Sequence, residues 1–148
     1  MKIALINDTH FGARNDSPAF IKYFNRFYDE IFFPYLQEHN ITTLIHLGDV
    51  VDRRKFINYN TAHNFQHKFW KRLWDKKIDT HIILGNHDTY YKNTNEVNAP
   101  RELLNQFHIY SEPQKVTLDG HDILMIPWIT PDNYDKTKMM LEQETADI

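Results

Sequence analysis

His46-Leu47-Gly48-Asp49-Val50-Val51-Asp52-Arg53-Arg54 follows the apolar run Thr42-Thr43-Leu44-Ile45, and its reading decides the fold. Gly48 breaks the strand pattern, and two carboxylates and two guanidinium groups crowd the residues after it. A buried strand that ends in glycine and then an acid reads as a site at the strand's carboxyl end, where open α/β sheets bind ligands. A β-turn leading into a solvated charged loop is the plainer reading of the stretch alone. Two further stretches tip the balance: Asn7-Asp8-Thr9-His10 after one strand, and Gly85-Asn86-His87-Asp88 after another.

Working outward, Lys2 to Asn7 reads as a first strand. Ser17-Pro18 is a helix start, with serine as N-cap and proline at the first helical position. Phe20, Phe24, Phe27, Ile31 and Tyr35 then recur at helical spacing as a core-facing stripe, and Pro34 should kink or end that helix. Ile41 to Leu47 is the second strand. A second helix, capped by Asn58 or Asn60, is expected to run to about Lys77. Its apolar face is Ala62, Phe65, Phe69 and Leu73, with Trp70 and Trp74 at the margin. Its other face carries His67, Lys68, Lys71, Arg72, Lys76 and Lys77, read as a solvated face or as a track for a phosphate backbone.

Thr80 to Leu84 is the third strand. A polar, aromatic loop with Tyr90, Tyr91 and Lys92 follows, then a short helix opened by Pro100. Lys115 to Leu118 and Asp122 to Ile126 flank Asp119-Gly120, a hairpin turn signal. A last helix is expected near Thr137 to Gln143. The fold class is thus α/β, a parallel β-α-β-α-β core plus a C-terminal hairpin, and right-handed crossovers put the three polar stretches on one sheet edge.

Composition bounds the function classes. The 148 residues suit one domain, and 41% hydrophobic with 25% charged residues is ordinary for a globular chain. A net charge of −3 makes any nucleic-acid contact a matter of local patches. Cysteine is absent, which excludes disulfides and thiolate metal sites. No stretch reaches membrane-span length and no signal peptide is evident, so a cytoplasmic protein without a membrane partner is expected.

Asp8 and His10 lie two apart just past one strand, Asp49 comes from the neighbouring strand end, and Asn86 and His87 from the third. Oxygen and imidazole donors without thiolate suit Mn²⁺, Fe²⁺ or Zn²⁺ better than Ca²⁺ or Mg²⁺. A carboxylate between two cations would bridge them, and two metals about 3.5–4 Å apart can drive an in-line displacement at phosphorus.

These motifs resemble those of the calcineurin-like metallophosphoesterases: D-x-H, G-D-x-x-D and G-N-H-[DE], then a later G-H and G-H-x-H. The first three are present as Asp8-Thr9-His10, Gly48-Asp49-Val50-Val51-Asp52 and Gly85-Asn86-His87-Asp88. Within the family the chain resembles the SbcD-type DNA nucleases, and among them the recombination endonuclease subunits of tailed phages. The grounds are the D-T-H-F-G start, the motif spacing, Asp88 in place of glutamate, and Ile126-Pro127-Trp128.

The resemblance implies metal ligands Asp8, His10, Asp49 (bridging) and Asn86. It implies two divalent metals, Mn²⁺ first and Fe²⁺ or Zn²⁺ as alternatives. His87 is implied as the catalytic group that contacts phosphate and protonates the leaving oxygen, with Asp88 orienting its imidazole; Asp52 would fix the loop. The implied activity is hydrolysis of DNA phosphodiesters in recombination or repair. The implied partners are DNA, an SMC-like ATPase subunit of the SbcC type, and a second copy in a homodimer.

No histidine follows His121, so the later histidine motifs are missing, and Gly120-His121 lies in a hairpin turn at the wrong end of the sheet. Residues 1–148 are therefore expected to be the amino-terminal part of such a domain, truncated before its second half, with too few ligands of its own for two well-held metals. Two alternatives follow. Gly48-Asp49-Val50-Val51-Asp52-Arg53 also fits the signature of phosphomonoesterases and protein phosphatases, in which Arg53 would grip phosphate. The chain is otherwise an inactive fragment that needs a second polypeptide.

Overall fold

The computed structural model describes residues 2–148. Four strands, β1 (Ile3–Ile6), β2 (Thr43–His46), β3 (Asp79–Ile83) and β4 (His108–Tyr110), form one parallel sheet in the order β1-β2-β3-β4. A second, two-stranded antiparallel sheet is the hairpin of β5 (Gln114–Leu118) and β6 (His121–Met125). Asp119 and Gly120 both take positive φ at its tip, as a two-residue hairpin turn requires. The expected core gains a strand: His108–Tyr110 pairs in parallel with β3, with His81 opposite His108. Three residues are too few to show alternation, so sequence pattern did not reveal it.

The helical layer differs from the expected stripe in an instructive way. From Ser17 onward, α1 (Pro18–Phe27) runs through a π-helical turn, Tyr28–Phe32, into α2 (Phe33–Glu38). The wide turn, closed by Phe33 N–H to the Tyr28 carbonyl, carries the buried face forward by about one residue. Phe32 and Leu36 are buried where Ile31 and Tyr35 were expected, and those two and Phe20 are exposed. Pro34 lies just beyond this turn and does not end the helix. Having no N–H to donate, it suits a stretch where the regular ladder is already interrupted.

The second helix repeats the device. Asn58 caps α3 (Tyr59–Phe65) by accepting from the Asn60 and Thr61 amides, and a π turn, Gln66–Trp70, leads into α4 (Lys71–Asp75). Trp70 is fully buried, at the centre of the core and not its margin. Both π turns contain or adjoin consecutive buried aromatics, Phe32-Phe33 and Phe69-Trp70. A wider turn reduces the angle between neighbouring residues, so both of a pair can face inward. Phe69 lies 5.5 Å from Phe32 and 5.9 Å from Phe33 between ring centroids.

Alternate residues of each strand face two different cores. Leu44 and Ile82 join the aromatic helices on one face. Ile45 and Tyr110 join Ile123 and Met125 of the hairpin on the other. Between β3 and β4, α5 (Ala99–Leu103) is capped by Asn98, which accepts from the Arg101 amide. The chain closes with α6 (Tyr134–Gln143). Among the described residues, no helix is long and apolar enough to cross a membrane.

Part of the basic run of the second helix is already neutralised by acidic partners. Arg72 pairs with Asp29 at 2.5 Å and Lys71 with Asp75 at 2.7 Å, and Arg72 also lies over the Phe33 ring. The run ends just before β3 begins, so it sits at the amino edge of the sheet, away from the three polar loops.

Candidate metal centre

The loops after β1 and β2 are zipped together beyond the strands by backbone hydrogen bonds. Asp8 N–H donates to the Gly48 carbonyl (3.1 Å), His10 N–H to Asp49 (3.0 Å) and Phe11 N–H to Val50 (2.9 Å). Asp8, His10 and Asp49 all adopt positive φ, at 53°, 38° and 53°. Left-handed backbone at three non-glycine residues of one site is costly, and such outliers cluster where geometry serves function.

Below this zipper runs a buried polar relay. Gly48 N–H donates to His46 Nδ1 (3.1 Å), so the neutral His46 carries its proton on Nε2 and donates it to the Thr9 hydroxyl (3.0 Å). Thr9 donates in turn to the Val50 carbonyl (3.1 Å). His46 is fully buried, and burial, with the nearby His10, pushes its pKa down to about 3. Sequence reading left His46 and Thr9 without a role. The available signal was a histidine closing an otherwise apolar strand.

The third loop is bolted on by two carboxylates. Asp88 Oδ1 accepts from the Val50 (2.8 Å) and Val51 (3.2 Å) amides, and its Oδ2 from Gly85 (2.9 Å). Asp49 Oδ1 accepts from the His87 amide (2.9 Å). The backbones meet at a pair of glycines. A Cβ on Gly48 would come within 2.5 Å of Gly85 N, and one on Gly85 would strike the Asp49 carboxylate and amide.

Asp88, expected to orient the His87 imidazole, makes its hydrogen bonds elsewhere. Its side chain serves the loop backbones, while His87 Nδ1 donates to the Asp52 carbonyl (2.6 Å). Asp88 follows His87 in a tight turn, and its carboxylate is already satisfied by three N–H groups of two loops. Burial pushes the Asp88 carboxyl up to about 7 despite those donors. The Asp52 bond fixes one His87 nitrogen as a donor and leaves Nε2 to take or give a proton.

Four of the expected site side chains, Asp8, His10, Asp49 and His87, converge, with Asp52 beside them. His10 Nε2 lies 3.5 Å from Asp8 Oδ1 and 3.5 Å from Asp49 Oδ2, while His10 Nδ1 lies 3.4 Å from Asp52 Oδ1. The His10 and His87 rings meet edge to face at 4.9 Å. Asn86 is half-buried in the same loop as His87, and its backbone carbonyl accepts from Thr89.

The donor set fits a divalent cation. One ligand atom from each of Asp8, His10 and Asp49 can lie within 4.8 Å of the others, and so can one from each of His10, Asp52 and His87. Separations of 3.5 Å are long for hydrogen bonds. They match the edge of a tetrahedron around a metal, about 3.3–3.4 Å for bonds of 2.0–2.1 Å. His10 Nδ1, buried and without a hydrogen bond, faces the Asp52 side of the cluster.

Arg53 does not reach into this cluster as a free phosphate grip. Its guanidinium pairs with Asp16 and lies over the Phe56 ring at 4.7 Å. Burial of Asp16 opposes ionisation, but the Thr61 hydroxyl and Arg53 outweigh it and hold that carboxyl below its usual range. Arg54 is likewise tied, donating to Thr89 Oγ1 at 3.2 Å. His121 pairs with Asp147 at 3.6 Å, at the hairpin tip and apart from the cluster.

A parallel sheet whose carboxyl edge gathers carboxylates and imidazoles from three successive loops defines an α/β metal-site protein. The chain belongs to the calcineurin-like phosphoesterase family, whose profile matches residues 1–146. It is 35% identical over 136 residues to exonuclease subunit 1 of Enterobacteria phage T4, a match covering 90% of this chain and 40% of that relative. The chain thus spans about two fifths of the length of that relative. Among solved structures, a protein of unknown function from Aquifex aeolicus is similar at 22% identity and a TM-score of 0.46, over 95% of this chain and 72% of its own.

Proposed function

We propose that this chain supplies the metal-binding core of a DNA phosphodiesterase, an exonuclease or endonuclease subunit acting in recombination or repair in the cytoplasm. The observation that carries the reading is the convergence of Asp8, His10 and Asp49 on one point, with His87 anchored beside them. Kinship with a phage protein named as an exonuclease subunit supports both DNA as substrate and a partner subunit. By family resemblance that partner is an SMC-like ATPase of the SbcC type, with a homodimer as the assembly.

Asp8, His10 and Asp49 would hold the first metal. Asp49 and Asn86 would hold the second, and Mn²⁺ suits this mixed oxygen and nitrogen set. Metals bound there would supply charge neutralisation at phosphorus and a nucleophile at neutral pH. The protein's own part is positional. His87, held at Nδ1 by the Asp52 carbonyl, presents Nε2 to the leaving oxygen as proton donor. Lys55, over the Tyr90 ring at 5.5 Å, and the exposed Tyr91 offer charge and stacking surface to a nucleic acid at the site's border.

A phosphomonoesterase reading depended on Arg53, and its engagement with Asp16 weighs against that. The test compares Mn²⁺-dependent release of nucleotides from linear duplex DNA with release of phosphate from a phosphopeptide. It is run on this chain alone and on this chain fused to the part of T4 exonuclease subunit 1 that lies outside the match. Nucleotide release is expected to dominate in the fusion. Preferential phosphopeptide hydrolysis would overturn the nuclease reading, and hydrolysis of neither would leave the fragment reading standing.

A further inference from the structure

At the opposite edge of the sheet a second set of metal-binding side chains is gathered. Asp79 and His81 are two apart on β3 and so share a face, and His108 of β4 is the register partner of His81. Asp79 Oδ2 lies 3.2 Å from His81 Nε2, and Asp79 Oδ1 lies 3.3 Å from His108 Nε2. The two imidazoles stack at 4.7 Å with 16° between their planes. One donor atom from each residue lies within 4.8 Å of the other two. Counted along β3 and its loop, the cluster is roughly 15–20 Å from the centre described above.

The surroundings resemble those of a ligating histidine more than those of a surface ion pair. His81 is buried, and its Nδ1 meets the Tyr110 hydroxyl at 2.7 Å. Metal-ligating histidines are commonly held in this way through the ring nitrogen that does not bind. In the metal-free chain His81 Nε2–H can donate to Asp79, with Tyr110 donating to Nδ1; with Nδ1–H given to Tyr110 instead, the Nε2 lone pair is free for a cation. An ion pair needs one imidazole, whereas here two nitrogens flank a single carboxylate, one at each oxygen, and a cation between them would take one donor atom from each residue. On the solvent side, a groove of about 550 Å³ bordered by Trp74, Asp79 and His108 leaves room for a water as fourth ligand.

We propose that Asp79, His81 and His108 form a second divalent-cation site, suited to Zn²⁺ and its class, that staples β4 to β3. Two nitrogens and one oxygen without sulfur suit Zn²⁺ or Co²⁺ and disfavour Ca²⁺ and Mg²⁺. The site is structural. It belongs to β4, the short edge strand, and is too far from the loops of the first centre to join their chemistry.

The test uses the untagged full chain with Asp8→Ala and His10→Ala, which removes a donor from both groups of the first centre. Zinc bound after equilibrium dialysis is measured with the melting temperature, and Co²⁺ absorption in the visible range reports coordination geometry. One zinc per chain is expected. A rise in melting temperature of about 5 °C or more is expected when free zinc exceeds its dissociation constant a hundredfold. Adding His108→Ala should weaken zinc binding at least tenfold and remove the rise. Asp79→Asn should do the same; both residues are solvent-exposed, so the fold tolerates their replacement. Zinc affinity and melting shift unaltered by either substitution, or no zinc bound before them, would overturn the proposal.

Discussion

Asp49 works through both of its oxygens. Oδ1 holds the His87 amide, while Oδ2 faces His10 Nε2 and through it the Asp8 side of the cluster. Asp49→Ala should therefore remove a metal ligand and, at once, one of the two carboxylates that hold the third loop. Asp49→Asn keeps an acceptor for the His87 amide but puts an NH₂ group in place of the oxygen facing His10. The expected order of Mn²⁺ affinity is wild type, then Asp49→Asn, then Asp49→Ala. His87→Ser should leave Mn²⁺ stoichiometry intact and slow hydrolysis by roughly 10²–10⁴-fold in an active assembly. Calorimetric titration beside turnover decides this, and equal metal loss in the Asp49 and His87 variants would refute the division of roles. At Gly85 the cost is steric. A methyl group would strike Asp49, so Gly85→Ala should destabilise the chain by about 1–3 kcal/mol and weaken Mn²⁺ binding, seen by urea unfolding with and without metal. Most of the cluster was legible because Asp8, His10, Asp49 and His87 each close a strand, and strand ends of a parallel sheet share an edge. The partners of Asp88 and Arg53 were not legible. Which way a side chain leaves a tight turn, and whether a distant Asp16 waits for a guanidinium, depend on packing that no local spacing encodes.

At the scale of elements, the strand β2 does more than deliver Asp49. Its last residue, His46, joins the first and second loops through Gly48, Thr9 and Val50, and the relay requires a neutral ring. Burial lowers the folded-state pKa to about 3, below the ordinary value near 6.5. Between those values the unfolded chain binds a proton that the folded chain refuses. The stability given by neutral His46 is therefore complete above about pH 6.5 and falls with pH, by at most about 1.4 kcal/mol per unit. Asp88 acts in the opposite sense between about pH 4 and 7, because its raised pKa lets the folded state keep a proton there. The two offset each other in wild type, so the useful quantity is a difference. In metal-free buffer the stability advantage of wild type over His46→Gln should narrow as pH falls from 6.5 toward 4. A constant gap by urea unfolding would show that the ring is not held neutral. The helices teach a related lesson about legibility. Their existence, the Asn58 cap and the basic outer face were all readable from spacing, but the π turns moved the buried face onto Phe32 and Leu36 and centred Trp70. A 3.6-residue period cannot anticipate a turn chosen so that two adjacent aromatics fit one cavity.

For the whole molecule, the sheet divides two cores of unequal size. On one face the aromatic side chains of both long helices enclose Leu44 and Ile82. On the other, the buried apolar residues of the sheet are Ile45 and Tyr110, packed with Ile123 and Met125 of the hairpin, while Leu5 of β1 remains 62% exposed. A two-stranded hairpin is marginal alone and relies on the apolar surface it covers. The hairpin should therefore open at a lower free energy than the parallel sheet, as a separate cooperative unit. Native-state hydrogen exchange is expected to show the amides of Leu44, Ile45 and Ile82 among the slowest in the chain. Those of Val116 and Ile123 should exchange faster, by openings less sensitive to denaturant. Ile123→Ala should speed hairpin exchange further while leaving Leu44 nearly unchanged, because its contacts lie only in the smaller core. Uniform protection across both faces, or an Ile123→Ala effect that reaches Leu44 equally, would mean that the molecule unfolds as one unit. The three loops of the metal centre are bonded chiefly to one another and spring from β1, β2 and β3. Opening of the hairpin should accordingly leave Mn²⁺ affinity in place, so Ile123→Ala is expected to bind Mn²⁺ within about threefold of wild type.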